Sequence, residues 1–465
     1  MARLLLISTY ELGHQPLHLA SPAAALRSAG HEVRCLDLSV EDFDEGASAW
    51  ADGVAFSVPM HTAMRLAVPV AERVRAERPD VSVAFYGLYA AVGSDRTVGS
   101  LADRAVAGEY QPGLLAWASE LGDGQRPSPT VIRDVANGTF LPPDRSSLPP
   151  LDRYARLAVD GELRLAGYVE ASHGCRHRCA HCPIPVVYDG RFRVVQPEVV
   201  LEDVAQLVQM GARHITLGDP DFLNGPAHAR RVLHQAHSAF PDLTWDVTVK
   251  VEHVLASRDI WPELRSLGVF FVVSAFECVD DATLALLDKG HTIADMAEAC
   301  QVLADAGIAV RPSWLPFTPW TDPSSLEALV GFLDTNRLWG AIDPIQLTIR
   351  LLIPDGSLVL GIPGIDDILR GYHPEELGHR WVSPRPEMDR LQLHLTGLVD
   401  RAEGAGQDPI ETMAEIRSEI GSAMGLRVGA FPDVPTAVPR LTESWFCCSE
   451  PASWDPGRLA ATIPA

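Results

Sequence analysis

The sequence predicts an α/β fold made of two successive series of strand–helix steps, followed by a helical extension. Two features carry that reading: short apolar runs alternating with helically spaced stretches, and a proline-rich break that divides them. The first series opens with RLLLIS (3–8). PLHLASPAAALRSAG (16–30) has helical spacing and stops at Gly30, and HEVRCLDL (31–38) alternates as a strand. The cycle repeats through GVAFSV (53–58), an apolar helix from about Met60 to Arg78, VSVAFYG (81–87) and RAVAGEY (104–110). Such alternation implies a parallel sheet, which binds ligands outside the carboxyl ends of its strands. The loops STYELGHQP, SVPMHT and YGLYAAVG occupy those ends.

From 125 to 160 the composition shifts to Pro, Ser and Asp, in RPSPTV and FLPPDRSSLPPLDRY, as in a linker. A second series begins at GYVEAS (167–172). It continues through the helix PEVVLEDVAQLVQMGA and the strands HITLGDPDF (214–222), LTWDVTV (243–249), GVFFVVSAFE (268–277), GIAVRPSWLPF (307–317) and DPIQLTIRLLIP (343–354), giving six βα steps. Beyond about Pro374 the chain turns helical and ends in a proline-punctuated tail. The expected organisation is a Rossmann-like domain over 1–124, a linker over 125–160, a partial (βα)6 barrel over 161–375 and a helical C-terminal region over 376–465.

At 465 residues the chain suits two or three domains. Its 47% hydrophobic and 21% charged composition is that of a soluble globular protein. The formal charge, 38 − 61 = −23, argues against a general nucleic-acid binder. No apolar run approaches the roughly 20 residues of a membrane span. The opening MARLLLISTY lacks the small-residue cleavage site of a signal peptide. The expectation is a cytoplasmic protein without nucleic-acid or membrane partners. Eight cysteines are too few for a disulfide framework, and five of them fall in two tight clusters, which points to metal or thiol chemistry.

ASHGCRHRCAHCPIP (171–185) places Cys175, Cys179 and Cys182 within eight positions. A structural zinc site needs four ligands, and His173, His177 or His181 could be the fourth. A thioredoxin-like pair would use Cys179 and Cys182 and leave Cys175 idle. Three thiolates instead suit a 4Fe–4S cluster with one iron free of protein ligand. The loop follows the first strand of a βα series, where a barrel places its active site.

CxxxCxxC ahead of six βα steps resembles the radical S-adenosylmethionine (SAM) superfamily. The resemblance implies that Cys175, Cys179 and Cys182 hold the cluster, that SAM chelates the fourth iron, and that one electron cleaves its sulfonium. His181 stands where the residue before the third cysteine is usually aromatic. Gly218, Asp219 and Pro220 match the Gly–acid–Pro part of the family motif that contacts the methionyl amino group. Lys250 ends the third strand, where a cation pairs with the methionyl carboxylate, and Glu277 fits the acid that contacts the ribose. Lys289 and Gly290 read as shaping the next turn. The implied partners are a small-molecule substrate and an electron donor such as flavodoxin or ferredoxin.

Residues 1 to about 120 resemble the cobalamin-binding domain that often precedes such a barrel, through the Gly–His–Glu–Val turn, the Ser57 loop and AVAGEY (105–110). Cobalamin is therefore a candidate third cofactor. The usual Gly-Gly-x-His reads Tyr86-Gly87-Leu88-Tyr89 here, and no Asp-x-His-x-x-Gly motif supplies a lower histidine, although His14 and His61 lie in the corresponding loops. FCCSEP (446–451) sets Cys447 beside Cys448, a soft ligand pair or a nucleophile. This ending resembles the radical SAM family named for its Cys-Cys-Ala-Glu-Pro tail, with Ser449 in place of Ala. The expected activity is reductive SAM cleavage with transfer of a methyl or 3-amino-3-carboxypropyl group to a small-molecule acceptor. Cys447 and Cys448 would be the catalytic pair, holding a soft, arsenic-type acceptor. The alternatives are a cobalamin- or metal-sensing protein with a structural cluster, and a zinc-binding module.

Overall fold

The computed structural model describes residues 1–125, 127–426, 429–434 and 438–443. The first sheet contains β1 (Arg3–Ser8), β2 (Glu32–Asp37), β3 (Gly53–Ser57), β4 (Ser82–Tyr86), β5 (Arg104–Gly108) and β6 (Thr130–Asp134) in the order β2-β1-β3-β4-β5-β6. All neighbours are parallel. Both faces are buried: Leu5, Ile7, Val54, Phe56 and Phe85 pack on one side, and Leu4, Leu6, Ala55, Tyr86 and Val106 on the other. Burial on both faces explains why these strands read as nearly continuous apolar runs. The strand order reverses between β1 and β3, so the loops after these two strands flank the topological switch point. β6 lies inside the segment read as linker. It is an edge strand with exposed Val131, so no apolar run announces it.

The second sheet contains β7 (Arg156–Val159), β8 (Glu162–Val169), then, after the short pair β9 (Ser172–Gly174) and β10 (Phe192–Val194), β11 (His214–Leu217), β12 (Thr244–Thr248), β13 (Val269–Glu277) and β14 (Ala309–Trp314). A hairpin of β15 (Leu369–His373) and β16 (Gly378–Trp381) follows, and β17 (Arg440–Leu441) returns to the sheet edge. The order is β14-β13-β12-β11-β8-β7-β17, with β8 and β11–β14 mutually parallel and β7 antiparallel to both its neighbours. This is a curled half-barrel. Its outer face (Ile215, Leu217, Trp245, Val247, Val272) packs against the surrounding helices in one large core.

The sixth step is not a full strand. Pro344–Thr348 forms a 3-10 turn, and a single bridge joins Phe317 to Arg350. Pro344 lacks a backbone donor for a ladder, and side chains take over the pairing: Trp314 N donates to Gln346 Oε1 at 3.1 Å and Gln392 Nε2 to Thr348 O at 2.9 Å. Arg350 faces the C-terminal region, bonded to Asp389 at 2.5 Å and lying over the Trp381 ring. Helices Pro386–Gly404 and Pro409–Ala423 complete the barrel core through Leu391, Leu395, Met413 and Ile416. Among the described residues no helix is long and apolar enough to cross a membrane.

The two sheets meet strand-end to strand-end. Ala155 N donates to Gly13 O at 2.8 Å, and His14 lies 4.8 Å from the Tyr168 ring. Arg145, from the predicted linker, is 1% exposed and binds three parts of the molecule at once. It reaches Asp203 on helix Pro197–Gln209 at 2.5 and 2.9 Å, Gln15 of the β1 loop at 2.9 Å and Tyr168 O of β8 at 2.7 Å.

Candidate functional site

β9 and β10 pair antiparallel and close the loop 175–191 like a drawstring. Gly174 sits at φ +72°, where a Cβ would come within 2.6 Å of the Tyr188 ring, so only glycine suits the position before Cys175. Cys175 and Cys179 are buried and Cys182 half-buried. Asn224 anchors the start of the loop: its Nδ2 lies 3.5 Å from Cys175 Sγ and its Oδ1 accepts from Arg176 N at 3.2 Å. Ala180 N donates to Leu287 O at 2.9 Å, fixing the middle of the loop against the segment after β13. Three soft sulfur donors on one anchored loop suit an iron–sulfur cluster.

At the end of β13, Glu277 adopts φ +67°, unusual for a non-glycine residue, and its side chain is held from two sides. Lys289 Nζ lies 2.8 Å and His181 Nε2 3.0 Å from Glu277 Oε1. Burial would raise the Glu277 pKa, but Lys289 and His181 hold it far below the usual carboxylate range. Burial likewise works against the Lys289 charge, and Glu277, joined by Cys179 and Cys182 in their thiolate form, outweighs it and raises the Lys289 pKa. Lys289, read from sequence as a turn residue, is thus the buried counter-ion of this corner. A signal for it was present: Lys250 and Lys289 are the only two lysines among 465 residues. Both are buried at the strand-end face.

Lys250 follows β12 and pairs with Glu252 at 3.1 Å. Asp219 is turned toward the strand β8 side. It accepts from Ala171 N at 3.0 Å and from the Ser172 hydroxyl, and burial pushes its pKa up to about 7. Gly218 packs under the Tyr168 ring, which fills the place of a Cβ. The Gly218-Asp219-Pro220 segment therefore braces the entry to the cysteine loop, whereas Glu277, His181 and Lys289 gather beside it.

Between the two sheets runs a buried chain of acids, histidines and tyrosines that sequence reasoning missed. Ser57 Oγ donates to Glu11 at 3.3 Å, and His18 Nε2 lies 3.5 Å from Glu170, which also accepts from the Tyr168 hydroxyl at 2.8 Å. His173 bridges Glu170 at 3.4 Å and Glu109 at 2.9 Å. Burial would lower the His18 pKa, but Glu11 and Glu170 outweigh it and push it up to about 9. Burial would raise that of Glu170, yet His18 and His173 hold it at about 2. Burial pushes Glu11 up to about 7 and His14 down to about 4. His61 Nε2 lies 2.8 Å from Glu376 O. Tyr86 is fully buried among Leu19, Ala20 and Leu114, with its hydroxyl donating to His18 O at 2.7 Å.

Cys447 and Cys448 lie outside the described residues. The last described residue, Glu443, rests on the β1 loop, with its Oε1 3.1 Å from the Tyr10 hydroxyl.

The sequence profile of the radical SAM superfamily matches residues 169–317, and that of the B12 binding domain matches residues 3–114. A hopanoid C-3 methylase of Methylococcus capsulatus is 25% identical over 340 residues, 66% of this chain; the match spans 62% of that protein's length. A hopanoid C-2 methylase of Rhodopseudomonas palustris is 23% identical over 48% of this chain and 42% of its own. Two solved structures share the fold. The radical SAM methyltransferase TsrM from Kitasatospora setae, with tryptophan and a SAM analogue bound, superposes with a TM-score of 0.59 at 16% identity, covering 79% of this chain and 76% of its own. The cobalamin-dependent radical SAM enzyme OxsB, with aqua-cobalamin and SAM bound, gives 0.67 at 12% identity, covering 87% and 67%. The chain thus carries a radical SAM domain over residues 169–317, with a B12 binding domain over residues 3–114 docked in front of its half-barrel.

Proposed function

We propose that this protein is a cobalamin-dependent radical SAM methyltransferase acting on a small-molecule acceptor, with an external one-electron donor. The observation that carries the reading is the docking of the two strand-end faces, which packs Val187 and Tyr188 of the three-cysteine loop against Ala91 and Ala107 of the B12-binding domain, with Glu109 bonded to His173 and Tyr188. When bound, the cluster on Cys175, Cys179 and Cys182 supplies the electron that opens the sulfonium, and the corrinoid carries the methyl group. The chain's own residues position and neutralise. Glu277, pinned by Lys289 and His181, presents a carboxylate beside the cluster loop for a ribose. Lys250 offers a cation for a methionyl carboxylate at the end of β12. We place the acceptor near Cys447 and Cys448. Glu443, the described residue that precedes them in sequence, rests on the β1 loop.

Product analysis tests the reaction. Anaerobic turnover with reduced protein is expected to yield S-adenosylhomocysteine in step with a methylated product, together with methionine and 5′-deoxyadenosine from each SAM that the cluster's electron opens. Methylthioadenosine as the main product would mean that the larger aminocarboxypropyl group moves, and the methyl assignment fails. Replacing both Cys447 and Cys448 by serine is expected to abolish acceptor turnover; unchanged turnover removes the dithiol from the site.

The loops at the strand ends suit a corrinoid, but Tyr86 fills the region between the sheet and helix Leu17–Ser28 that a nucleotide tail would enter. Cobinamide, which lacks that tail, is therefore expected to bind at least as tightly as cobalamin in an absorbance titration. A preference for cobalamin above about tenfold, roughly 1.4 kcal/mol, would show that the tail is recognised.

A further inference from the structure

We propose that His177, Asp221 and His253 form a mononuclear site for a divalent cation of the zinc or ferrous class, next to the cysteine loop and separate from the cluster ligands. His177 lies within that loop, Asp221 follows β11, and His253 belongs to helix Val251–Ala256, so three elements distant in sequence converge on one point. One ligand atom from each falls within 4.8 Å of the others, and this is the tight group of such atoms found among the described residues. The three cysteine sulfurs are not part of it.

The bonding pattern favours a cation over a hydrogen-bonded relay. Asp221 is fully buried; its Oδ1 accepts from Leu223 N at 3.1 Å, which fixes the carboxylate and leaves Oδ2 pointing at the histidines. Oδ2 lies 2.7 Å from His253 Nδ1 and 3.8 Å from His177 Nε2. Yet none of these three buried atoms has a hydrogen-bond partner of acceptable geometry. Lone pairs that approach closely without aligning N–H to O are arranged as ligands around a shared centre. Three buried polar atoms left without partners would otherwise be destabilising. The nearby charges agree: Lys250 pairs with Glu252 at 3.1 Å, and among the described residues no lysine or arginine ion pair is made by Asp221. Glu252 lies 3.8 Å from His177 Nδ1, an acidic neighbour on the side of the ring away from Asp221.

Two imidazoles and one carboxylate suit zinc or ferrous iron rather than magnesium or calcium, which prefer all-oxygen sets. The histidine side chains are 18% and 21% exposed, so a fourth position is reachable by water or by a substrate donor atom. The cation would clamp the cysteine loop to the ends of β11 and β12 independently of whether the methyl-transfer reading holds.

The test is a metal count on cluster-reconstituted, full-length protein after equilibrium dialysis against micromolar zinc. The expected result is about one zinc per chain in addition to the iron and sulfide of the cluster. Asp221→Asn and His253→Gln should each weaken zinc retention at least about tenfold while keeping iron and sulfide unchanged. His253→Gln sits at a partly exposed helix position and carries the test if Asp221→Asn does not fold. A Cys447→Ser/Cys448→Ser variant, which removes the other soft donor pair, should keep the zinc. Wild-type protein without zinc beyond the cluster metal, or zinc lost with the tail cysteines and kept in His253→Gln, overturns the site. Missing iron and sulfide would instead sink the cluster reading, so the two failures are told apart.

Discussion

Lys289→Met is expected to lower the melting temperature by about 10 °C and to disorder the Glu277 corner. Lys289 and Glu277 are both buried, and their ammonium–carboxylate contact is 2.8 Å. Removing the cation leaves a buried carboxylate with His181 as its remaining partner, a loss of about 3–5 kcal/mol. At about 2–4 °C per kcal/mol for a domain of this size, the drop is readily measured by scanning calorimetry. The double variant Lys289→Met/Glu277→Gln should recover much of it, because no uncompensated charge remains. The pH dependence has a definite sign. Glu277 is depressed, so its contribution is present above its ordinary value of 4.5 and is lost as pH falls below that toward its folded pKa. Wild-type and double-variant melting temperatures should therefore converge in acid. Lys289 is raised, so its share is present below 10.5 and is lost only as pH climbs through its higher folded pKa. A melting temperature for Lys289→Met within 2 °C of wild type would refute the counter-ion role.

Arg145→Leu should be comparably destabilising, but through domain docking. The substitution leaves Asp203 buried at 4% side-chain exposure without its cation and cuts the bonds to Gln15 and Tyr168 O. The same 3–5 kcal/mol or so applies. Here the loss should also appear as faster proteolysis within 125–150, because the arginine ties that segment to both sheets. Pairing Arg145→Leu with Asp203→Leu should restore much of the stability while proteolysis stays fast, since the carboxylate is gone but the cross-domain bonds are still missing. Unchanged proteolysis in both variants would mean that other contacts hold the domains together.

Much of the fold was legible because parallel strands buried on both faces give apolar runs that turn residues punctuate. The cysteine loop was legible because its spacing is local. What escaped notice was set by partners far apart in sequence or by polar edges. β8 begins at Glu162, five residues before its apolar part, because Glu162 and Leu163 lie exposed at one end of the strand. The sixth step reads as a strand, but its pairing is done by Gln346 and Gln392 side chains. Arg145 looked like linker composition, and nothing near it in sequence announces Asp203. The Glu11–His18–Glu170–His173–Glu109 chain draws on three widely separated segments, none of which stands out alone.

The return of the chain to its own beginning fixes an order of assembly. β17 joins β7, and Glu443 caps the loop of Tyr10 and Gly13, a contact spanning 433 positions. During translation at about 5–20 residues per second, the N-terminal domain, complete at Asp134, waits roughly 15–60 s for that cap. Through that interval the Tyr10 side of the β1 loop lacks its Glu443 contact, so this part of the N-terminal domain is covered after the half-barrel has already docked on Gly13 and His14.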